Sequence, residues 1–331
     1  MSPGSRVLIA VSGGADSVAL LHLFAREAPA RSLHLAVAHF DHRLRAGSAA
    51  DRQFVEGLAA ALGLPCAAGA GDVRALARAE RRSLEDAARR ARHRFLEQAR
   101  RETGSDLLAL AHQQDDLCEG VLMRLIEGSG TAGLAGMRPR SGVLVRPLLG
   151  VPRAAIRTWA EAEGLAWRED PTNASLAPRR NRIRALLLPL LEREFNPRVR
   201  EAIGRGAGTL ALEDELLGGW AGDWLRDHAA PSGERSLFLP RSALLRLPEG
   251  LRRRVLFGAL RQIGLSPRRI RERQIAGILE LLAHRRTGAR VSLAGLTARV
   301  ERDGLRLLPA DPGGTIRASG SKMECAPRRE V

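Results

Sequence analysis

The sequence predicts an α/β chain that begins with a mostly parallel sheet carrying helices on both faces, followed by a helical linker and a small mixed α/β domain. Three observations carry this. Over about the first 125 residues, short β-rich apolar runs alternate with runs of helical period. Each β-rich run empties into a polar loop that opens a helix. Finally, 331 residues exceed one ordinary domain and suffice for two cores.

The elements follow in order. Arg6–Val11 is β-rich, and after a glycine turn Val18, Leu21, Ala25 and Ala28 recur at helical spacing. Leu33, Leu35 and Val37 form a second strand. Ser48 with Asp51 three residues on reads as a capping box, opening a helix that Gly63 and Pro65 stop. A short strand is expected near Cys66. Ser83 and Asp86 repeat the capping pattern before a long helix through Arg101, Gly104 ends it, and Asp106–Ala111 supplies another strand. Gly128–Met137 reads as a glycine-rich loop, Val143–Leu148 as a strand, Pro152–Glu163 as a helix with proline in its first turn, and Pro178–Glu194 as a very basic helix. A helical pattern from Glu201 to Asp227 reads as a linker. Helices near Gly250–Ile263 and Arg269–Ala283 then precede a strand pair, Ala289–Leu293 and Ala298–Leu308, turned at Asp303-Gly304. The expected units are a catalytic domain at 1–200, a linker at 201–230, a small domain at 231–310 and a disordered tail at 311–331.

Cys66, Cys118 and Cys325 are odd in number and form no CxxC pair, which argues against a disulfide framework, a zinc site or an iron–sulfur cluster. No apolar run approaches the ~20 residues of a spanning helix, and a strand pattern starts too early to leave room for a signal peptide. A cytoplasmic protein without a membrane partner is expected, with a homodimer left open. The formal net charge is +16, and its cations are arginines apart from Lys322. Residues 196–331 carry 25 basic against 15 acidic side chains, the more basic part, and an excess of this size points to a polyanionic partner such as RNA.

In such a fold ligands bind outside the carboxyl ends of the strands, where Ser12–Ser17, His39–Arg45 and His112–Glu119 all emerge. Ser12, Gly13, Gly14, Ala15, Asp16 and Ser17 lie between a strand and a helix. Glycines let the backbone approach an anion, and successive N–H groups at a helix start make a donor concavity, so this is a phosphate cradle. It lacks the lysine of a Walker loop. Asp16 beside phosphates makes sense when Mg²⁺ bridges them. Asp115, Asp116 and Glu119 can share one helix face, a cluster suited to a cationic partner.

Ser-Gly-Gly-x-Asp-Ser resembles the signature of the PP-loop ATP pyrophosphatases, whose adenine-nucleotide fold and AMP transfer it implies here. The further run of His39-Phe40-Asp41-His42-Arg43-Leu44-Arg45, Glu85–Arg92, Ala111–Glu119, Gly128–Gly130, Gly133–Met137, Arg146–Leu149, Glu169–Asn173 and Arg180–Arg184 resembles, in order, the tRNA(Ile)-lysidine synthetases. The chain departs from that family's pattern at Gln113, often a second His, and at Gly120, often Thr.

The resemblance implies ATP and Mg²⁺ at Ser12–Ser17, with His39 near the adenine and Asp16 on the metal. It implies catalytic roles for Asp16, Arg92, His112 and Asp116, and binding of free L-lysine by Asp116 and Glu119. The base that deprotonates the lysine ε-amine stays open between a carboxylate and His112. Arg180, Arg182 and Arg184 are expected to hold an isoleucine tRNA with a CAU anticodon, whose wobble cytidine would be adenylated and joined to lysine. Another PP-loop tRNA modification such as thiolation, or RNA binding without turnover, are the alternatives.

Overall fold

A computed structural model describes residues 2–44, 47–169, 175–266, 270, 272–284, 286–293 and 295–310. Arg45, Asp170–Asn173 and the tail with Lys322 and Cys325 lie outside the described residues. The chain divides into two compact units, Met1–Asp214 and Glu215–Val331.

The first unit runs β1 (Arg6–Ala10), α1 (Ala15–Arg31), β2 (His34–Asp41), α2 (Ser48–Ala61), β3 (Cys66–Ala70), α3 (Val73–Ala79), α4 (Leu84–Glu102), β4 (Leu107–Ala109), α5 (Gln114–Ile126), α6 (Thr131–Leu134), β5 (Arg140–Ser141), β6 (Leu144–Val145), α7 (Arg153–Ala162), α8 (Arg179–Arg182), a π-turn (Ile183–Leu187) and α9 (Leu188–Glu194). Its sheet order is β3-β2-β1-β4-β6-β5, parallel except for the β5–β6 pair. Alternation along β1 sorts the two faces. Val7 and Ile9 pack with Leu20, Val55 and Ile156 of α1, α2 and α7, while Leu8 packs with Leu96 and Ala99 of α4. From β1 the chain steps outward to β2 and β3 and then crosses back to β4 on the other side of β1, so the crevice at the carboxyl ends of β1 and β4 is the topological switch point.

Several expectations need correcting. Ser48 is not a cap: Gly47, which has no side chain to offer, holds that position, and Asp51 pairs with Arg168 instead. Ser83 does cap α4, accepting from the Asp86 amide at 3.2 Å. The expected strand at 143–148 shrinks to Leu144–Val145, which pairs with Arg140–Ser141 as a hairpin, and the glycine-rich loop contains α6. The basic helix is interrupted by the π-turn, where the Leu188 amide bonds the Ile183 carbonyl.

Helix α10 (Val199–His228) spans the boundary between the units. The second unit continues with β7 (Ala230–Gly233), β8 (Ser236–Pro240), α11 (Arg241–Leu245), α12 (Glu249–Gln262), α13 (Glu272–Ala283), β9 (Arg290–Leu293), β10 (Leu296–Val300) and β11 (Gly304–Pro309). Instead of a strand pair it contains an antiparallel sheet of five strands, ordered β7-β8-β11-β10-β9. The span read as one strand, 298–308, is the β10–β11 hairpin, with Asp303-Gly304 at its turn. One apolar core, including Leu239, Leu256, Leu260, Ile278 and Leu307, fills the space between this sheet and its helices.

Candidate active site

The cradle forms where β1 hands the chain to α1. Gly13 sits at φ +93°, a region that strains any side chain, and Gly14 caps α1 in extended conformation. Ser17 is buried and knots this loop: its hydroxyl donates to the Gly14 carbonyl at 2.9 Å and accepts from the Ser12 amide at 3.1 Å. From the far side the Arg168 amide donates to the Gly13 carbonyl at 2.9 Å, and the Arg168 side chain meets Asp51 at 2.5 Å. The N–H groups of Gly13, Ala15 and Asp16 have no acceptor among the described residues. They are donors at a helix start, where the backbone dipole also favours an anion. Asp16 projects from the same turn with its Oδ1 buried and unpartnered. Burial raises its pKa above the ordinary carboxylate value, against the opposing pull of Arg153 and with a further push from Asp116.

The opposite wall is α5. Buried Gln113 caps it, its Oε1 accepting from the Asp115 and Asp116 amides while Asp116 accepts from the Gln113 amide at 3.2 Å. The acidic cluster does not stand open for an external cation, as the helical spacing suggested. Asp115 accepts from the Arg153 amide at 3.0 Å and pairs with Arg200. Arg180 bridges Asp116 at 2.7 Å and Glu119 at 2.5 Å, and Arg184 meets Glu119 at 2.5 Å. Glu119 is fully buried, and a buried carboxylate without a cation is costly, so the basic segment 179–184 closes onto it. Arg92 makes no ion pair among the described residues. Burial, then Arg89 and Arg180, lower its pKa.

Two histidines in this region have buried, unpartnered Nδ1 atoms. Burial, reinforced by Arg146, Arg92 and Arg180, pushes His112 down to about 3, and burial with Arg92 pushes His42 down to about 4. His39 is buried, with its Nδ1 at 2.9 Å from the Val11 carbonyl.

A cavity of about 540 Å³ brings most of the expected residues together: Ser12, Gly14, Ala15, Asp16, Ser17, His39, Arg92, His112, Asp116, Arg180 and Arg184 all line it. Gly13, Glu119 and Arg182 do not. Arg180 and Arg184, expected on a tRNA-facing surface, therefore stand in the cavity wall, and Glu119, expected to touch lysine, lies behind them. Asp41 and His42, from the 39–45 segment expected at the crevice, line it too, as do Asp51, Arg153, Arg157 and Arg168, which were not singled out for the site from the sequence.

A profile of the PP-loop domain family matches residues 2–191. The chain is 41% identical over 261 residues to a tRNA(Ile)-lysidine synthase of Gloeobacter violaceus, covering 77% of each chain. This chain belongs to the tRNA(Ile)-lysidine synthase family. It is also 43% identical over 256 residues to the tRNA(Ile)-lysidine synthase of Geobacter sulfurreducens, and 38% over 316 residues to that of Thermus thermophilus. Those matches cover 76% and 94% of this chain but 54% and 58% of the relatives, so the chain spans somewhat more than half of their length. A U34-tRNA thiolase from Methanococcus maripaludis, carrying a [4Fe-4S] cluster, shares the fold at a TM-score of 0.53 and 18% identity, over 63% of this chain and 72% of that one.

Within this tRNA(Ile)-lysidine synthase family member, Gln113 has a physical account: its amide oxygen supplies the cap of α5. The missed cavity residues share a cause. Arg153, Arg157 and Arg168 come from α7 and the segment after it, where their spacing reads only as a charged helix and loop. The Arg168–Asp51 pair, 117 residues apart, had no local signal at all.

Proposed function

We propose that the chain is an ATP-dependent ligase that joins L-lysine to C2 of the wobble cytidine in a CAU-anticodon isoleucine tRNA, through an adenylated intermediate. The observation that carries this reading is the content of one cavity: a glycine turn with open main-chain donors, a buried unpartnered carboxylate oxygen on Asp16, the guanidinium of Arg92 with no ion pair among the described residues, and Asp116 on the facing wall.

The main-chain donors and α1 hold the triphosphate of ATP. The orphaned Oδ1 of Asp16, next to those donors, fits Mg²⁺, which takes one or two carboxylates together with phosphate oxygens. When bound, that ion neutralises charge on the phosphates as pyrophosphate departs. The C2 oxygen of the cytidine attacks the α-phosphorus, the bond to pyrophosphate breaks, and Arg92 faces the charge that develops. The deprotonated ε-amine of lysine then attacks C2, and AMP leaves with the former C2 oxygen.

Asp116, the cluster carboxylate that lines the cavity, exchanges its pairing with Arg180 for the lysine ammonium and takes its proton. His112, pushed down to about 3 by burial and the neighbouring arginines, is neutral and serves as a hydrogen-bonding ring. Glu119 is a positioning residue that aims Arg180 and Arg184. The basic surface, Arg182 included, holds tRNA backbone.

The test is incubation of the purified chain with ATP, Mg²⁺, radiolabelled lysine and isoleucine tRNA. One lysine in the anticodon loop per pyrophosphate released is the expected result. Pyrophosphate release that ignores lysine and tRNA, or sulfur in the base, would overturn the reading.

A further inference from the structure

Helix α3 and the turn that leads from it to α4 carry four arginines against one carboxylate, Arg74, Arg78, Arg81 and Arg82 against Glu80. The arginines line an open groove with Leu84. Arg82 is paired with Glu80 and Asp86, and Glu80 is further engaged by Arg90 and Arg94. Arg74, Arg78 and Arg81 are exposed and meet no carboxylate among the described residues. Surface arginines usually find acids nearby, as Arg31, Arg52 and Arg101 do. Three that converge on one groove without any make a concentrated site of positive charge.

The backbone adds a second observation. Helix α3 ends in a Schellman turn, with the Arg82 amide bonding the Ala77 carbonyl at 3.0 Å and the Arg81 amide bonding the Arg78 carbonyl at 3.3 Å. Arg81 occupies the left-handed position of that motif at φ +50°, where glycine is the favoured residue. An arginine at that position costs the fold stability relative to glycine, and it adds a fourth guanidinium to the groove.

Position completes the case. β3 delivers the chain at the carboxyl edge of the sheet, and α4 returns it to the opposite edge at β4. Arg92 and Leu96 of α4 line the cavity, so the start of α4 stands about 12 Å from Arg92 along the helix axis, toward the carboxyl edge of the sheet.

We propose that this groove holds the phosphodiester backbone of the RNA strand that flanks the base inserted in the cavity. Guanidinium groups suit phosphate oxygens, and Leu84 offers an apolar edge for ribose or base. This rests on the tRNA reading above and adds where the strand leaves the site.

The test measures affinity of the full chain for unmodified isoleucine tRNA across a salt series. In R74A/R78A/R81G the slope of log affinity against log salt should fall by about 2, at roughly 0.7 per single-strand phosphate contact, with affinity down at least about tenfold at low salt. ATP binding should be unchanged. R81G alone should weaken tRNA binding about threefold while raising Tm by about 1–3 °C, a pair of opposite shifts that a merely structural role would not produce. An unaltered slope in the triple variant, with the wild-type chain binding tRNA, overturns this groove and leaves the ligase reading standing. If the wild-type chain binds no isoleucine tRNA, both fall. Loss of binding to phosphatidylserine vesicles in the triple variant, with tRNA binding intact, assigns the groove to a membrane surface instead.

Discussion

The two units bury different things. Of the eight buried polar or charged residues described, Ser17, His39, Asp41, Asp51, Ser105, Gln113 and Glu119 belong to the first unit and only Ser236 to the second. The apolar interior of the first unit is divided among separate clusters on the two faces of its sheet and around α5, whereas the second has one continuous core. Desolvating polar groups is unfavourable unless each is matched, so the first unit trades stability for a preorganised charged cavity. The second, with little to arrange inside, is an apolar scaffold under a basic surface.

The sharpest way to break this contrast is at Asp16. D16A should lower pyrophosphate release by at least about 10²–10³-fold, measured by a coupled phosphate assay. Because burial holds the carboxyl above its ordinary pKa, the ionised side chain weighs on the ligand-free fold at neutral pH. D16N should therefore melt higher than the wild-type chain at pH 7. A variant that loses both turnover and stability would contradict a site built at the expense of the fold.

Ion pairs give the next largest effect. E119A strips the shared partner from Arg180 and Arg184 and should cost about 3–5 kcal/mol, read by urea denaturation. In the second unit E301A removes the partly exposed partner of Arg306 and should cost about 0.2–1 kcal/mol. Equal costs would erase the distinction between the units.

The smallest effect is a pH dependence. Unfolded imidazoles take up a proton near pH 6.5, while folded His42 and His112 stay neutral down to about 4 and about 3. Their contribution is complete above pH 6.5 and is lost as pH falls, by up to about 1.4 kcal/mol per pH unit for each group. Pulse proteolysis in urea at pH 7, 6 and 5, with fragments mapped by mass spectrometry, should show the first unit weakening. H112N should flatten the trend.

Much of the first unit was legible because its signals are local. The Ser12–Ser17 turn is contiguous, Ser83 caps α4 as its spacing said, and strands buried on both faces read as short apolar runs. What escaped was small or distant. β5 and β6 have two residues each, too short for any period, and α3 was hidden in an alanine- and arginine-rich stretch. In the site, Asp51 looked like a cap partner because its true partner, Arg168, lies far along the chain. The acids of α5 were visible as a row, but nothing in their spacing told that Arg180, Arg184 and Arg200 would neutralise them.

The π-turn at Ile183–Leu187 carries a consequence for how this segment tolerates length changes. Residues five apart on a regular α-helix are turned by about 140° from one another. Ile183 and Leu188 nonetheless both pack into the cluster with Cys118 and Leu122, because the wider coil brings them back into line. The segment behaves as a helix holding one surplus residue. Excising Ala185 would restore ordinary winding and force a choice between seating Leu188 and keeping both guanidinium groups on Glu119, so a deletion here should be far more harmful than replacement of the same alanine by serine.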